Sequence, residues 1–186
     1  DNADPTGVNL VNLTLHQGLD MGNAEVGSRS GAEEDFTRIE LHLSRTQRLN
    51  EDWSATLRAG GQLAFSGLPV SEQFGIGGET FGRAYDPSEW TGDHGLAASA
   101  EVGRRLALGE MVEGNPYIFY DTATVRRKHP VDEGKSDSAD SAGVGIRFAF
   151  PKNISLALEA AKPLDARKSP EDDRVWRYSM RALASF

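Results

Sequence analysis

Long stretches of this chain alternate apolar and polar residues with a period of two, and that pattern leaves few folds open. Successive side chains of an extended strand point to opposite faces, so such a stretch builds a sheet with one apolar and one polar side. Ala142, Val144, Ile146, Phe148 and Phe150 fall on one side; Gly143, Gly145, Arg147 and Ala149 fall on the other. Ile154, Leu156, Leu158 and Ala160 alternate with Ser155 and Glu159. Trp53, Ala55, Leu57 and Ala59 alternate with Ser54, Thr56, Arg58 and Gly60, and Ile39, Leu41 and Leu43 alternate with Arg38, Glu40, His42 and Ser44. A helical reading would scatter these charges all round a helix.

The pattern predicts eight strands, over 8–18, 36–49, 53–66, 95–107, 116–127, 140–151, 154–165 and 174–186. Most run about ten residues or longer, against ~5–6 for a soluble strand and ~9–11 for a tilted strand that crosses a bilayer. Long polar connections near 20–35, 67–94, 128–139 and 165–173 alternate with short ones near 50–52, 108–115 and 152–153. Outer-membrane barrels show this asymmetry, with long loops outside and short periplasmic turns. With the first strand running outward, every long loop falls outside and the last strand ends at the periplasmic rim. The expected fold class is therefore all-β, an antiparallel transmembrane β-barrel or part of one. The polar run from Lys128 to Asp140 reads, by composition, as a mobile loop.

Composition closes other routes. Zero Cys removes disulfides and thiolate metal sites. No apolar run approaches 18 residues, so no helix spans a membrane; a mean hydropathy of −0.47 is compatible with a barrel, whose strands average out. The net charge of −8 argues against nucleic acid, which needs a basic face. His16, His42, His94 and His129 lack ligand spacing, Ser71 and Ser88 lack a G-x-S-x-G elbow, and Glu33, Glu34 and Asp35 read as an exposed acidic loop. No catalytic residue, metal or cofactor is expected, and the chain is not read as an enzyme. Asp1 is not a natural start, so the N-terminus reads as a cut.

The last strand carries Trp176, Tyr178, Met180, Ala182 and Ala184 on one face and stops on Phe186; Arg177, Ser179, Arg181, Leu183 and Ser185 form the other face. An apolar face that runs two by two to a terminal Phe resembles the C-terminal signal of bacterial outer-membrane barrels, which the barrel assembly machinery reads. The even face would then meet outer-membrane lipid and the odd face a wet lumen.

Residues 68–102 hold several short motifs in order: Glu72, Gln73 and Phe74; Gly77 and Gly78; Arg83 and Tyr85; Gly92, Asp93 and Gly95; Glu101 and Val102. This region resembles the signature of TpsB proteins, the outer-membrane transporters of two-partner secretion (haemolysin secretion/activation, ShlB/FhaC/HecB type). Gly82 and Ala84 depart from the family's V-R-G-Y pattern. Downstream, Tyr117, Phe119, Asp121 and Ala123 resemble the F-x-D-x-G strand, with Ala123 in place of Gly, and Ala161 to Leu164 resemble an A-K-P-L segment. Upstream, Gln17 to Asp20 and Arg45 to Leu49 also resemble family segments.

The resemblance implies strands nine to sixteen of a sixteen-stranded barrel: residues 1–186 as its C-terminal half, an open curved sheet when alone, without the POTRA domains and the N-terminal half. It implies that the loop 67–94 folds back into the lumen, where Arg83 locks onto Asp121. Parity agrees, because Tyr117, Phe119, Asp121 and Ala123 share one face. A guanidinium suits a carboxylate better than an ammonium does, and burial keeps the net stabilisation of such a pair small, so the pair acts as a positional lock. Gly75, Gly77 and Gly78 allow a sharp re-entry, and Asp86, Pro87 and Ser88 read as a turn. By parity Arg58, Gln62, Ser99, Glu101, Arg147, Glu159, Arg177 and Arg181 face the lumen. The implied cargo is a large TpsA-type exoprotein, a haemolysin or adhesin, driven outward by its own folding. Two alternatives stay open: a BamA-like assembly factor, and a self-contained eight-stranded structural barrel.

Overall fold

A computed structural model describes residues 2–4, 6–19, 31–128, 135–164 and 175–185. Among the described residues there are eight long strands: β2 (Gly7–Gln17), β3 (Thr37–Arg48), β4 (Trp53–Ala64), β7 (His94–Arg104), β9 (Glu113–Arg126), β10 (Ser136–Phe150), β11 (Ile154–Pro163) and β12 (Arg177–Ala184). Four short strands accompany them: β1 (Asn2–Asp4), β5 (Phe74–Ile76), β6 (Trp90–Gly92) and β8 (Leu106–Ala107). The main sheet is an antiparallel meander in the order β1-β2-β3-β4-β7-β9-β10-β11-β12, with β8 beside β9; β5 and β6 form a separate hairpin inside the loop between β4 and β7. Among the described residues no helix is long and apolar enough to cross a membrane, which leaves a strand-built crossing untouched.

The register joins residues of like parity into rows across the sheet. Arg58, Ser99, Asp121 and Ser141 form one row, and Glu101, Phe119, Gly143, Ala161 and Arg177 form another. These rows belong to the face that the β4–β7 loop covers, here called the inner face. The opposite face carries Leu57, Leu96, Ile118, Val144, Tyr178 and Met180, all exposed. An apolar surface of this extent is costly in water and suits a hydrocarbon environment.

The core lies between the inner face and the loop. The loop contributes Leu68, Phe74, Ile76, Phe81, Ala84 and Tyr85; the wall contributes Ala97, Tyr117, Phe119, Ala123, Val125, Ala139 and Ala161. Without the loop, these wall residues would face open space.

Some boundaries differ from the sequence reading. β10 begins at Ser136 rather than 140, although Ser136 to Asp140 is polar. The reason is pairing: β9 is long enough to meet it, from Ser136 opposite Arg126 to Ala149 opposite Glu113. Its inward residues also find partners, since Arg127 Nη1 donates to Asp137 Oδ2 at 2.6 Å. The stretch 95–107 is broken at Arg105, so that β7 ends at Arg104 and Leu106–Ala107 form a separate strand. β1, the β5–β6 hairpin and a 3-10 turn at Val70–Glu72 were not anticipated. Phe186, His129 and most of the expected loops 20–35, 128–139 and 165–173 lie outside the described residues.

A self-contained eight-stranded barrel is not formed. β1 and β12 are the two ends of the sheet path and do not pair with each other. The physical reason is space: an eight-stranded barrel has an interior just wide enough for its own side chains, and here a whole loop occupies the inner face.

Candidate functional site

The loop from Phe65 to Asp93 has a neck and a tip. In the neck β5 pairs with β6, with Phe74 opposite Gly92 and Ile76 opposite Trp90. The tip begins where Gly77 and Gly78 take φ of 106° and 93°. A Cβ at Gly77 would stand 1.9 Å from the Asp86 carbonyl oxygen, so both conformation and space require Gly there. Gly75 differs from the expectation for it, because its φ is not positive; a Cβ there would meet the Ser88 hydroxyl at 2.5 Å. Asp86 to Glu89 closes a turn, with Glu89 N–H donating to the Asp86 carbonyl at 3.1 Å.

The tip delivers Arg83 to the inner face, where the residue is only 6% exposed. Its guanidinium forks onto Asp121, Nε to Oδ2 at 3.0 Å and Nη2 to Oδ1 at 2.9 Å, and the Arg83 backbone N–H also donates to Oδ2 at 3.1 Å. Nη1 donates to Glu101 at 3.2 Å and to Glu159 at 3.1 Å, and Nη2 donates to Ser99 Oγ at 3.2 Å. A guanidinium has five N–H donors, and each has an acceptor here. Below it lies the Phe119 ring, 3.4 Å from the guanidinium carbon to the ring centroid, a cation–π arrangement.

The charges around it balance. Arg147 donates to Glu101 through Nη1 at 2.5 Å and Nη2 at 3.0 Å, and Arg58 lies 4.0 Å from the same carboxylate. Three guanidiniums, those of Arg83, Arg147 and Arg58, therefore meet three carboxylates, those of Asp121, Glu101 and Glu159. Tyr117 donates to Glu159 at 2.8 Å and lies under Arg147, 3.8 Å from its guanidinium carbon to the ring centroid. Gly143 and Gly145 leave room for these rings: a Cβ at either would stand within 2.5 Å of Phe119 or Tyr117 ring atoms.

The remaining signature residues are structural parts of the same loop. Tyr85 is buried, donates to the Asp140 carbonyl at 2.9 Å and meets Trp90 edge-on at 4.9 Å. Glu72 accepts from Arg38 Nε at 3.2 Å, Gln73 accepts from Thr91 at 2.8 Å, and Phe74 packs where Gly95 lacks a side chain. Asp93 is fully buried and accepts the Leu68 and Lys128 backbone N–H groups, both at 2.8 Å, thereby stapling the loop root to the end of β9. Asp93→Ala would remove the acceptor of the buried Leu68 N–H, at about 1–3 kcal/mol, and that of the half-buried Lys128 N–H, at less. We expect it to make the loop root protease-sensitive in the folded full-length protein, as read by limited proteolysis.

Trp176, Tyr178 and Met180 lie on or beside β12, exposed, with the last two on the outer face. On its inner face Arg177 pairs with Asp86 at 2.6 Å and Arg181 pairs with Glu79. Parity places Arg58, Arg147, Glu159, Arg177 and Arg181 inward but does not say what they touch. Arg38 and Tyr117 likewise carried no sign of their contacts. His16 and His42 both approach Glu40, at 3.6 Å and 2.6 Å, and among the described residues no group of three or more His, Asp or Glu is arranged to hold a metal ion.

An amphipathic antiparallel wall with an inward-folded loop defines a class, the outer-membrane β-barrels, of which this chain forms part of one wall. The model of the haemolysin secretion/activation family ShlB/FhaC/HecB matches residues 5–148, and the chain belongs to that family. Among solved structures it is similar to CdiB from Escherichia coli, with a TM-score of 0.80 and 18% identity over 99% of this chain and 34% of that one. The chain thus spans about a third of that structure's length. No curated protein matches it.

Proposed function

We propose that this chain supplies part of the wall and the inner loop of an outer-membrane pore that passes a TpsA-type exoprotein, a haemolysin or adhesin, to the cell surface. The observation that carries this reading is the loop held on the inner face by Arg83, with every guanidinium donor engaged, in a chain of the secretion/activation family. Charged side chains such as Arg58, Arg147, Arg177 and Arg181 on the inner face, with the apolar wall residues covered by the loop, leave an unfolded polypeptide little apolar surface to adhere to. Arg83 and Asp121 act as the lock that positions the loop, with Tyr85, Phe119, Gly77 and Gly78 shaping it. In this reading residues 1–186 are the C-terminal half of a sixteen-stranded barrel, with POTRA domains elsewhere in the protein. β12 ends at the periplasmic rim, and Trp176, Tyr178, Met180 and Phe186 form the signal for the assembly machinery.

The test is export. Cells carrying the full-length protein and its exoprotein should release the exoprotein, and cells without the transporter should retain it in the periplasm. Equal release from both would end the proposal. The two faces should also respond unequally to charge. Val144→Arg, on the outer face, should cost about 2–4 kcal/mol near the bilayer midplane. Ser179→Arg, on the inner face, should cost far less. Urea unfolding of the refolded full-length barrel in lipid vesicles measures both.

A further inference from the structure

The loop makes two sets of hydrogen bonds and ion pairs with the wall that share no wall residue, while one apolar cluster, with Phe74, Ile76, Phe81, Ala84 and Tyr85, runs under both. The side chains that hold the neck by hydrogen bonds lie on β3 and β4, while the β5–β6 hairpin itself packs against β7 and β9. Arg38 donates to Glu72 through Nε at 3.2 Å, and through Nη1 to Glu40 at 2.8 Å and Gln62 at 2.7 Å. Gln62, itself buried, donates onward to the Glu72 carbonyl at 3.0 Å and the Asp93 carbonyl at 3.3 Å. Leu68 and Ile76, both fully buried, complete the neck. The tip set lies mainly over β7 to β12: Arg83 on Ser99, Glu101, Asp121 and Glu159, Tyr85 on Asp140, Asp86 on Arg177 and Glu79 on Arg181. Between the two sets is a cavity of about 310 Å³, lined by Arg38, Glu72 and Phe74 of one set and by Glu79, Thr80 and Phe81 of the tip. The joints between neck and tip are Gly77–Gly78 on one limb and Ser88, with φ of 56°, on the other.

We propose that Glu72 and Arg38 are positioning residues that hold the neck to the wall independently of the Arg83 lock, so that release of the lock frees the tip alone. This rests on the transporter reading only for its consequence, which is that the passage opens by movement of about a dozen residues and not by withdrawal of the whole loop. The chemistry favours two separate holds. The Arg38 guanidinium meets a carboxylate, a second carboxylate and an amide oxygen in a half-buried place, and Gln62 ties the Glu72 backbone to the loop root. None of these bonds involves Arg83 or Asp121.

The experiment uses single reporter cysteines in the full-length protein in outer-membrane vesicles; the 186 residues contain no Cys of their own. Thr91→Cys reports the neck and Ala84→Cys reports the tip, and both are near-isosteric. The readout is the rate of labelling by a membrane-impermeant maleimide, which requires no export. Adding Arg83→Ala should raise labelling at position 84 at least tenfold and leave position 91 within twofold. Adding Glu72→Ala in place of Arg83→Ala should reverse the pattern, and Glu72→Gln, which keeps an acceptor for Arg38, should restore protection at position 91. Equal exposure of both reporters by Arg83→Ala would overturn the proposal, as would an unchanged position 91 with Glu72→Ala. Heat-modifiable mobility confirms that each variant is folded. An export failure with these labelling patterns intact would count against the transporter reading and leave the two-hold loop standing.

Discussion

Arg83→Ala in the full-length protein is expected to reduce exoprotein export by at least about tenfold while the barrel still assembles. The reason is what the substitution leaves behind. Asp121 is fully buried and takes three bonds from Arg83, two from the guanidinium and one from the backbone. Removing one partner of a buried pair costs about 3–5 kcal/mol, because the other charge stays uncompensated. Each 1.4 kcal/mol is about tenfold in an equilibrium, so the docked tip would lose its majority. Arg83→Lys tests the geometry. An ammonium projects its donors from one nitrogen and cannot reach Asp121, Glu101, Glu159 and Ser99 together, so it should recover only part of the loss. Asp121→Asn keeps one acceptor and removes the buried charge, and should be milder than Arg83→Ala. Export normal with Arg83→Ala in a folded barrel would remove Arg83 from the mechanism.

Gly77→Ala is expected to act almost as strongly without touching a charge. Its Cβ would stand 1.9 Å from a backbone oxygen, at a φ of 106° that side-chain-bearing residues rarely adopt. Neither the Asp86 carbonyl nor the Gly77 backbone has a flexible end that moves aside. The tip must therefore re-form, and the Arg83 fork loses its register with Asp121. Positions in such backbone conformations cost of order 1–3 kcal/mol for a non-Gly residue, before the clash is added. Labelling at Ala84→Cys and export should both follow Arg83→Ala in direction. By contrast, Gly109→Ala also has a positive φ but nothing within 4 Å of its Cβ, and should leave export intact. If Gly77→Ala and Gly109→Ala behave alike, the tip geometry is not what matters.

The eight long strands and their two faces were legible from alternation alone, because parity is a local property of an extended chain. Val144 and Arg147 take their opposite sides without reference to anything distant. The strand starts were less legible. Ser136 to Asp140 has the composition of a loop, and only the matching length of β9 makes it strand. The partners around Arg83 were the least legible, because 38 residues separate it from Asp121 and 76 from Glu159. The motif resemblance pointed to Asp121. Nothing in spacing pointed to Glu159 or Ser99, since parity says which face a residue takes but not its height on that face. Height follows from register, and register follows from turns and pairing that emerge only when the sheet is assembled. The same gap hid Arg38, whose alternation with Ile39 showed an inward side chain and no reason to meet Glu72.

Site-specific photo-cross-linking during export shows whether cargo travels along the loop-bearing face. A photoreactive residue would replace Arg58 or Ser179 on the inner face, and in parallel Leu57 or Met180 on the outer face, in the full-length protein with its exoprotein arrested part-way. A path along that face predicts exoprotein adducts at positions 58 and 179 and none at 57 and 180. Adducts at the outer positions, or none at the inner ones while export proceeds, would contradict it.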